Sequence, residues 1–491
     1  MNVEPDSTQS TSTSPDTDAG EIHAARPESG HALGIVVLAA GAGTRMRSSL
    51  PKVLQPVCGV PMVVHTLNAA EALAPAVIAV VVGHGGELVR QALAERDVTF
   101  VEQTELLGTG DAVKRAREAM AGCGAVLVLN GDEPLITAGT LRQLLARLPG
   151  NRMAFTAQRV DDIESRGRVV RDEGGQVRAI AQAADEQRVE RAGELNWGEY
   201  AFEADWLWDR IERVPVTPKG EYYLTHLVEQ AYGEGCPAAT FEVPAEEGLG
   251  VDDKVKLSEA EATMRRRILV EHMLAGVTIV DPASTYIDAG VEIGADVTVL
   301  PNCYLYGATR VEAGATIGPG TTLRNASIGR DTRIEASVIE DSRVGERCSV
   351  GPFSHVRGNA VIGDECRLGN YAEVKNSVIG RGCDMHHFSY VGDATVGEET
   401  NIAAGVITCN FDGVNKNRTV LGSRVLLGSD TMLVAPVSVG DGAITGAGSV
   451  VTKDIPAGEK WAGVPARPLG VATLPEAKAE PKAKPRKKPK R

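Results

Sequence analysis

From Ile287 an aliphatic side chain recurs at every sixth position, and Ile287, Ile293, Val299, Leu305, Val311, Ile317 and Leu323 keep the count without a break. The stripe resumes in a new phase at Val344, Val350, Val356, Ile362, Leu368 and Val374, and again at Leu421, Leu427, Leu433 and Val439. A period of six suits neither a 3.6-residue helix, which would smear the stripe around its surface, nor an ordinary strand with its period of two. It suits a coil with three short flat strands per turn, each sending one aliphatic side chain to a common axis, and so predicts a parallel β-helix. Gly follows the stripe in Ile293-Gly294, Ile317-Gly318, Val344-Gly345, Ile362-Gly363 and Leu427-Gly428, positions expected at corners that need positive φ or close backbone approach. Aromatic residues make up only 4% of the chain, in keeping with thin aliphatic stacking. The repeat is expected to loop out only around Asn410 to Thr419, and loops leaving a rigid solenoid are good places for ligand contact.

The remaining length is enough for further cored domains, 491 residues in all at 43% hydrophobic content. Gly34 to Ala40 reads as a buried parallel strand that runs into the glycine loop Gly41-Ala42-Gly43-Thr44-Arg45. Further apolar runs at Val77 to Val82 and Ala125 to Leu129, separated by helix-like Val63 to Ala72 and Ala112 to Met120, predict a doubly wound, Rossmann-like α/β domain. Ligands of such sheets bind beyond the carboxyl ends of the strands. Arg45 and Lys52 supply two cations where a triphosphate would lie against backbone N–H groups. Gln103 and Gly108 suit a flat base, since the Gln amide carries both donor and acceptor for an imide edge and Gly lets backbone approach. Asp132, at the end of the strand Ala125 to Leu129, is placed to hold Mg²⁺ through carboxylate oxygen.

The segments LAAGAGTRM, PKVL, EQTELLGTGDA and NGDEPL resemble the sugar-1-phosphate nucleotidyltransferases, and the appended hexapeptide coil makes residues 33 to 468 resemble the bifunctional GlmU family. That resemblance implies a left-handed parallel β-helix, a homotrimer, acetyl transfer from acetyl-CoA to glucosamine 1-phosphate in the coil, and uridylyl transfer from UTP in the N-terminal domain. It places the nucleotide loop on Leu38, Ala39, Ala40 and Gly41 with Arg45 and Lys52, base contacts on Gln103, Gly108 and Thr109, and metal ligands on Asp132 and Asp252. Sugar contacts for uridylyl transfer fall on Asn130, Gly131, Gly167, Gln182 and Asn196, and Gly220 to Tyr223 is also similar. Asn130 stands where the family has Tyr, Gln182 where it has Glu, and Asp252 where it has Asn.

In the coil the resemblance implies His387 as the general base and Arg357, Lys375, Tyr390 and Asn401 as sugar-phosphate contacts. Arg357 and Lys375 are one coil of three hexads apart, so their side chains are expected to stack as a two-cation phosphate clamp. Acetyl-CoA contacts fall on Ala404, Asn410, Phe411, Ser429 and Ala447, with Phe411 in place of Tyr and Gly463 in place of a late Arg. Two alternatives stand beside this reading: the same chemistries with a broader sugar 1-phosphate or dTTP, and a non-catalytic scaffold or sensor of the same two-domain build.

The domains are expected at 33–254 for the nucleotidyltransferase, 255–275 for a helical linker and 276–468 for the coil, with tails at 1–32 and 469–491. Both tails are expected to be disordered, the first polar, the second basic and Pro-rich. Residues 475–491 carry a local charge of +6 within a chain of net charge −14, which argues against general nucleic-acid binding. No secretory core is present in residues 1–30 and no run is long enough to span a bilayer. Eight scattered cysteines without metal-ligand spacing read as free thiols, and the location expected is cytoplasmic.

Overall fold

The computed structural model describes residues 32–160, 167–181 and 193–471. Most of the two expected tails, and Gln182, lie outside the described residues. The outermost strands reach past the expected boundaries, since Ala32–Ala39 begins the first sheet and Arg467–Val471 closes the coil as a hairpin with Glu459–Ala462.

The N-terminal sheet runs in the order Ala239–Glu242, Met153–Val160, Gly193–Glu203, Cys123–Asn130, Ala32–Ala39, Val77–Val82 and Thr99–Glu102. Alternate residues of its central strands serve two cores. Val36, Ala79, Val81, Val126 and Val128 pack on one face with the helix Thr109–Arg115, while Ile35, Val37, Ile78, Val80, Leu127 and Leu129 pack on the other with the helix Met62–Glu71. Continuous apolar strands are what two covered faces require. The sheet is not purely parallel, because Gly193–Glu203 runs antiparallel to both of its neighbours. From Ala32–Ala39 the chain moves first to Val77–Val82 on one side and later to Cys123–Asn130 on the other, so the loops after the first and last of these strands meet at a topological switch point.

The coil is a ladder of parallel pairs in which Ile287 lies beside Leu305, Leu305 beside Leu323, Val344 beside Ile362 and Val356 beside Val374. The stripe does not stop where the hexad count fails. Coils shorten by a residue or two, pairing Val311 with Ile328, Leu323 with Ile339 and Ile328 with Val344, so Ile328, Ile334 and Ile339 fill the axis between the first two phases. Ile379, Met385, Val391, Val396 and Ile402 do the same between the second and third. All the stripe residues are buried except Ile293, which is half-buried.

The corner glycines answer to close approach more than to φ. Among the five singled out, only Gly318 has positive φ, at 101°. A Cβ on Gly363 would sit 2.8 Å from Arg381 N, and one on Gly428 2.7 Å from Ala447 N, so the next coil's backbone fills the space. Left-handed corners are taken instead by Asn302, Asn325, Asp331 and Asn359, residues that tolerate them. All eight cysteines are free thiols.

Between the two domains lies the helix Lys254–Leu274, capped by Asp253 Oδ1, which accepts from Val255 N at 2.9 Å and Lys256 N at 3.0 Å. Leu257, Met264 and Ile268 pack it onto the coil's core. A hairpin of the N-terminal domain, Pro56–Val57 with Val60–Pro61, clips onto the same place: Cys58 N donates to Glu261 at 2.6 Å, and Cys58 O accepts from Ala289 N at 3.0 Å.

Candidate functional site

At the switch point the loop after Ala32–Ala39 turns through Gly43 at φ 58° into the short 3₁₀ turn Thr44–Met46. A Cβ on Gly43 would lie 2.6 Å from Lys52 Cβ, so glycine lets this loop close onto the lysine. Val251 N donates to Asp132 O at 3.0 Å, and that single backbone bond brings Asp252 beside Asp132 from across the sequence. Lys52 Nζ pairs with Asp132 and lies 3.2 Å from Asp252 Oδ1, while Arg45 reaches the same Oδ1 at 2.9 Å. Burial pulls the Lys52 ammonium down, but Asp132 and then Asp252 outweigh it and hold its pKa above the ordinary lysine value.

Gln103 is buried, and its amide N–H groups donate to Gly108 O at 3.0 Å and Asp111 Oδ2 at 2.9 Å. Its donors are therefore used by the protein, leaving Oε1 as the acceptor for a ligand, rather than the paired donor and acceptor expected from sequence. The close approach at Gly108, where φ is 95°, is filled by Tyr222: a Cβ would sit 2.6 Å from Tyr222 O. Thr109 Oγ1 accepts from Leu224 N at 3.1 Å, so the segment Gly220 to Tyr223 is seated against this loop.

On the sugar side, Asn130 Nδ2 reaches Glu133 Oε1 and Gly198 O, both at 3.3 Å. Asn196 N donates to Gly167 O at 2.8 Å and its side chain to the Tyr200 hydroxyl at 2.6 Å, which joins two of the expected contacts. Glu133 and Glu199, buried carboxylates next to these residues, were not singled out from sequence, Glu133 although it stands in the NGDEPL segment beside Asp132, because nothing local signals their burial. Asp111, in the EQTELLGTGDA segment, was passed over because its bond to Gln103 is not visible in the sequence.

In the coil, Arg357 and Lys375 are register partners on adjacent strands, as their spacing requires. Arg357 donates to Glu373 Oε1 from Nε at 3.1 Å and from Nη2 at 2.5 Å. The loop that leaves the coil after Cys409 folds back through a Phe411–Lys416 bridge and brings a third cation, not foreseen from sequence: Lys416, then Arg357, hold the exposed Lys375 ammonium below its ordinary pKa. Three crowded cations, of which only Arg357 is paired to a carboxylate among the described residues, are an arrangement that suits an anion. Asn401 pairs in register with Asp384.

His387 stands beside Asn370 of the preceding coil, and His386, His387 and Phe388 are three successive exposed residues within the strand Asp384–Gly392, which breaks the alternation expected of a flat strand. His386 Nε2 lies 3.6 Å from Asp384 Oδ1. Gly405 N donates to Phe388 O, Asp430 N to Ala404 O and Gly448 N to Ser429 O, so His387, Ala404, Ser429 and Ala447 follow one another up one edge of the coil. Phe411 is exposed in the loop beside them, while Asn410 is buried at its base.

The model of the MobA-like NTP transferase domain matches residues 35–195, and that of the bacterial transferase hexapeptide repeats matches 290–325 and 341–376. The protein named Bifunctional protein GlmU from an Exiguobacterium species is 43% identical over 427 residues, covering 86% of this chain and 94% of its own. The chain belongs to the bifunctional GlmU family. Its GlmU relatives from Pelobacter propionicus and Corynebacterium glutamicum are also 43% identical, covering 86% of this chain and 94% and 90% of theirs. The chain is thus a transferase with a nucleotidyltransferase and an acyltransferase domain, and the GlmU relatives favour neither the broader-substrate nor the scaffold alternative.

Two carboxylates meeting at one point from loops distant in sequence suit a hard divalent cation that keeps water and phosphate oxygens as its other ligands. Among the described residues no group of three or more His, Cys, Asp and Glu side chains is arranged to hold a metal alone. No helix among the described residues is long and apolar enough to cross a membrane.

Proposed function

We propose that the switch-point site carries uridylyl transfer from UTP to N-acetylglucosamine 1-phosphate, and that the edge of the coil carries N-acetylation of glucosamine 1-phosphate by acetyl-CoA. The observation that carries this reading is the presence, in one GlmU-family chain, of the Arg45–Lys52–Asp132–Asp252 cluster and the separate Arg357–Lys375–Lys416 cluster.

In the first reaction an oxygen of the sugar phosphate attacks the α-phosphorus in line as its bond to the bridging oxygen of pyrophosphate breaks. Lys52 and Arg45 move from carboxylates to phosphate oxygens and neutralise the departing charge. Asp132 and Asp252 would hold a Mg²⁺ ion, which screens the phosphates when bound. Leu38 to Gly41, Gln103, Gly108 and Thr109 hold the nucleotide, while Asn130, Gly131, Gly167, Gln182 and Asn196 hold the sugar.

In the second reaction the neutral amine attacks the thioester carbonyl, the C–S bond breaks, and His387 accepts the amine proton. Arg357, Lys375 and Lys416 take the phosphate, Tyr390 and Asn401 the sugar, and Ala404, Asn410, Phe411, Ser429 and Ala447 the acetyl-CoA. A homotrimer in the cytoplasm completes the proposal; exposed Phe353 and Tyr371, stacked at 5.3 Å on adjacent coils, supply an apolar face for it.

The test is a panel of sugar 1-phosphates with UTP or dTTP and with or without acetyl-CoA, reading pyrophosphate and free thiol separately. The expected result is thiol release only with glucosamine 1-phosphate and pyrophosphate release with its N-acetylated form and UTP. Preference for dTTP or another sugar would overturn the assignment.

A further inference from the structure

Asp393 sits where the coil meets the base of the Asn410 loop, and it is tied on every side. Its Oδ1 accepts from Asn376 Nδ2 of the preceding coil at 2.5 Å, and its Oδ2 from Asn410 Nδ2 at 2.5 Å. The backbone is fixed too, with Asp393 N donating to Lys375 O at 3.1 Å and Asp393 O accepting from Thr419 N at 3.3 Å. The residue is 7% exposed and Asn410 9%. A buried carboxylate held this way accepts hydrogen bonds and donates none.

That chemistry decides how the Asn410 amide is turned. Its nitrogen must face Asp393, and the same nitrogen also lies 3.4 Å from the Tyr390 hydroxyl. Tyr390 folds back over Gly392, where a Cβ would lie 2.2 Å from the hydroxyl oxygen, so glycine is needed to bring phenol and amide together. Only Asn410 Oδ1 is left over, and among the described residues no protein donor reaches it. The oxygen can accept from a ligand group that donates, displacing solvent.

Resting on the acetyl-transfer reading above, we propose that Asp393 is a positioning residue that locks the Asn410 carboxamide with its oxygen toward the acyl-transfer site, where it receives an N–H donor from a substrate. Two substrate groups have that chemistry: the attacking amine of the sugar and an amide N–H of the pantetheine arm. The first holds the nucleophile and the second the thioester, and the two differ in which KM responds.

The test exchanges the two side chains. Asn410→Asp removes the donor and sets two carboxylates against each other, so acetyl transfer is expected to fall on the order of a hundredfold. Asp393→Asn leaves the amide free to turn and is expected to cost on the order of tenfold. The double variant restores one donor and one carboxylate with their places exchanged, and still presents an acceptor oxygen from position 410. It is expected to recover most of the loss of Asn410→Asp, with uridylyl transfer and the melting temperature of the coil near wild type. A raised KM for glucosamine 1-phosphate in Asp393→Asn identifies the amine as the donor; a raised KM for acetyl-CoA identifies the pantetheine amide. If the double variant is folded and no better than the product of the two single losses, or if Asp393→Asn is folded and fully active, the positioning role is wrong. Wild-type protein without acetyl transfer would instead remove the underlying reading.

Discussion

Lys52 Nζ lies 3.2 Å from Asp252 Oδ1 although the two residues are 200 positions apart in sequence. The same ammonium meets Asp132 and Arg45 also pairs with Asp252, so the two cations and both candidate metal ligands neutralise one another before any substrate arrives. Nucleotide and metal must therefore divide this cluster between them, phosphate taking the cations and metal taking the carboxylates.

Asp132→Ala is expected to lower uridylyl transfer by on the order of a hundredfold or more and to leave acetyl transfer intact. Steady-state assays of the two reactions on one preparation decide it, and undiminished uridylyl transfer in EDTA would sink the assignment. The Lys52 pairing contributes stability below the ordinary lysine pKa of about 10.4 and loses it only as pH rises through the higher folded value. Between pH 6 and 9, roughly, Lys52 should add no slope to the stability of this domain.

Replacement of His387 by Ala should reduce acetyl transfer by roughly 10² to 10⁴, the usual worth of positioned proton transfer, without touching uridylyl transfer. Part of the loss should return at higher pH as more of the amine becomes neutral. His386→Ala should do little, because that ring leans toward Asp384, 3.6 Å away, not because it faces inward. Equal loss from both variants would place the base elsewhere on this strand.

Val350 is buried in the axis, beside Ile334 below and Leu368 above. Val350→Asp should place an unpaired charge there and unfold the coil or its assembly while the N-terminal domain survives. Gly363→Ala offers a milder check, costing about 1–3 kcal/mol by forcing a methyl onto the backbone at Arg381. A cooperative coil transition at the wild-type temperature, in either variant, would contradict the register.

Asp288, near the Cys58 hairpin, has a carboxyl pushed up by burial, pulled partly back by the Gly307 N–H, and pushed up again by Glu261. A raised folded pKa contributes stability below the unfolded value of about 3.9 and loses it as pH rises through the folded value. Asp288→Asn should therefore raise the melting temperature of the domain junction at pH 8 by about a degree or two, with the gain fading toward pH 4. Calorimetry at the two pH values checks this, and a lower melting temperature at pH 8 would refute it.

Much of this was legible in the sequence because each signal was local or strictly periodic. The hexad stripe foretold the buried axis, and the eighteen-residue separation of Arg357 and Lys375 foretold their register. What stayed hidden was non-local or tolerant of small shifts. Ile328, Ile334 and Ile339 were missed because a coil absorbs the loss of one residue at a corner while a fixed count does not. Lys416 and Asp393 were missed because their roles depend on how a loop folds back onto earlier coils. Gln103 was read as an amide offering both donor and acceptor to a base, and only the structure shows that Asp111 and Gly108 use its donors.

One coil is longer than the rest: Val396 pairs with Leu421, a separation of 25 residues, and the ladder above and below keeps its phase. The extra chain leaves and re-enters without disturbing the axis, so apart from its base, where Asn410 and Thr419 are tied to Asp393, the solenoid restricts little of what that segment contains. Substrate preference in the coil is therefore open to change by exchanging a single interchangeable segment, a freedom that the N-terminal sheet, whose site is assembled from several distant loops, does not have.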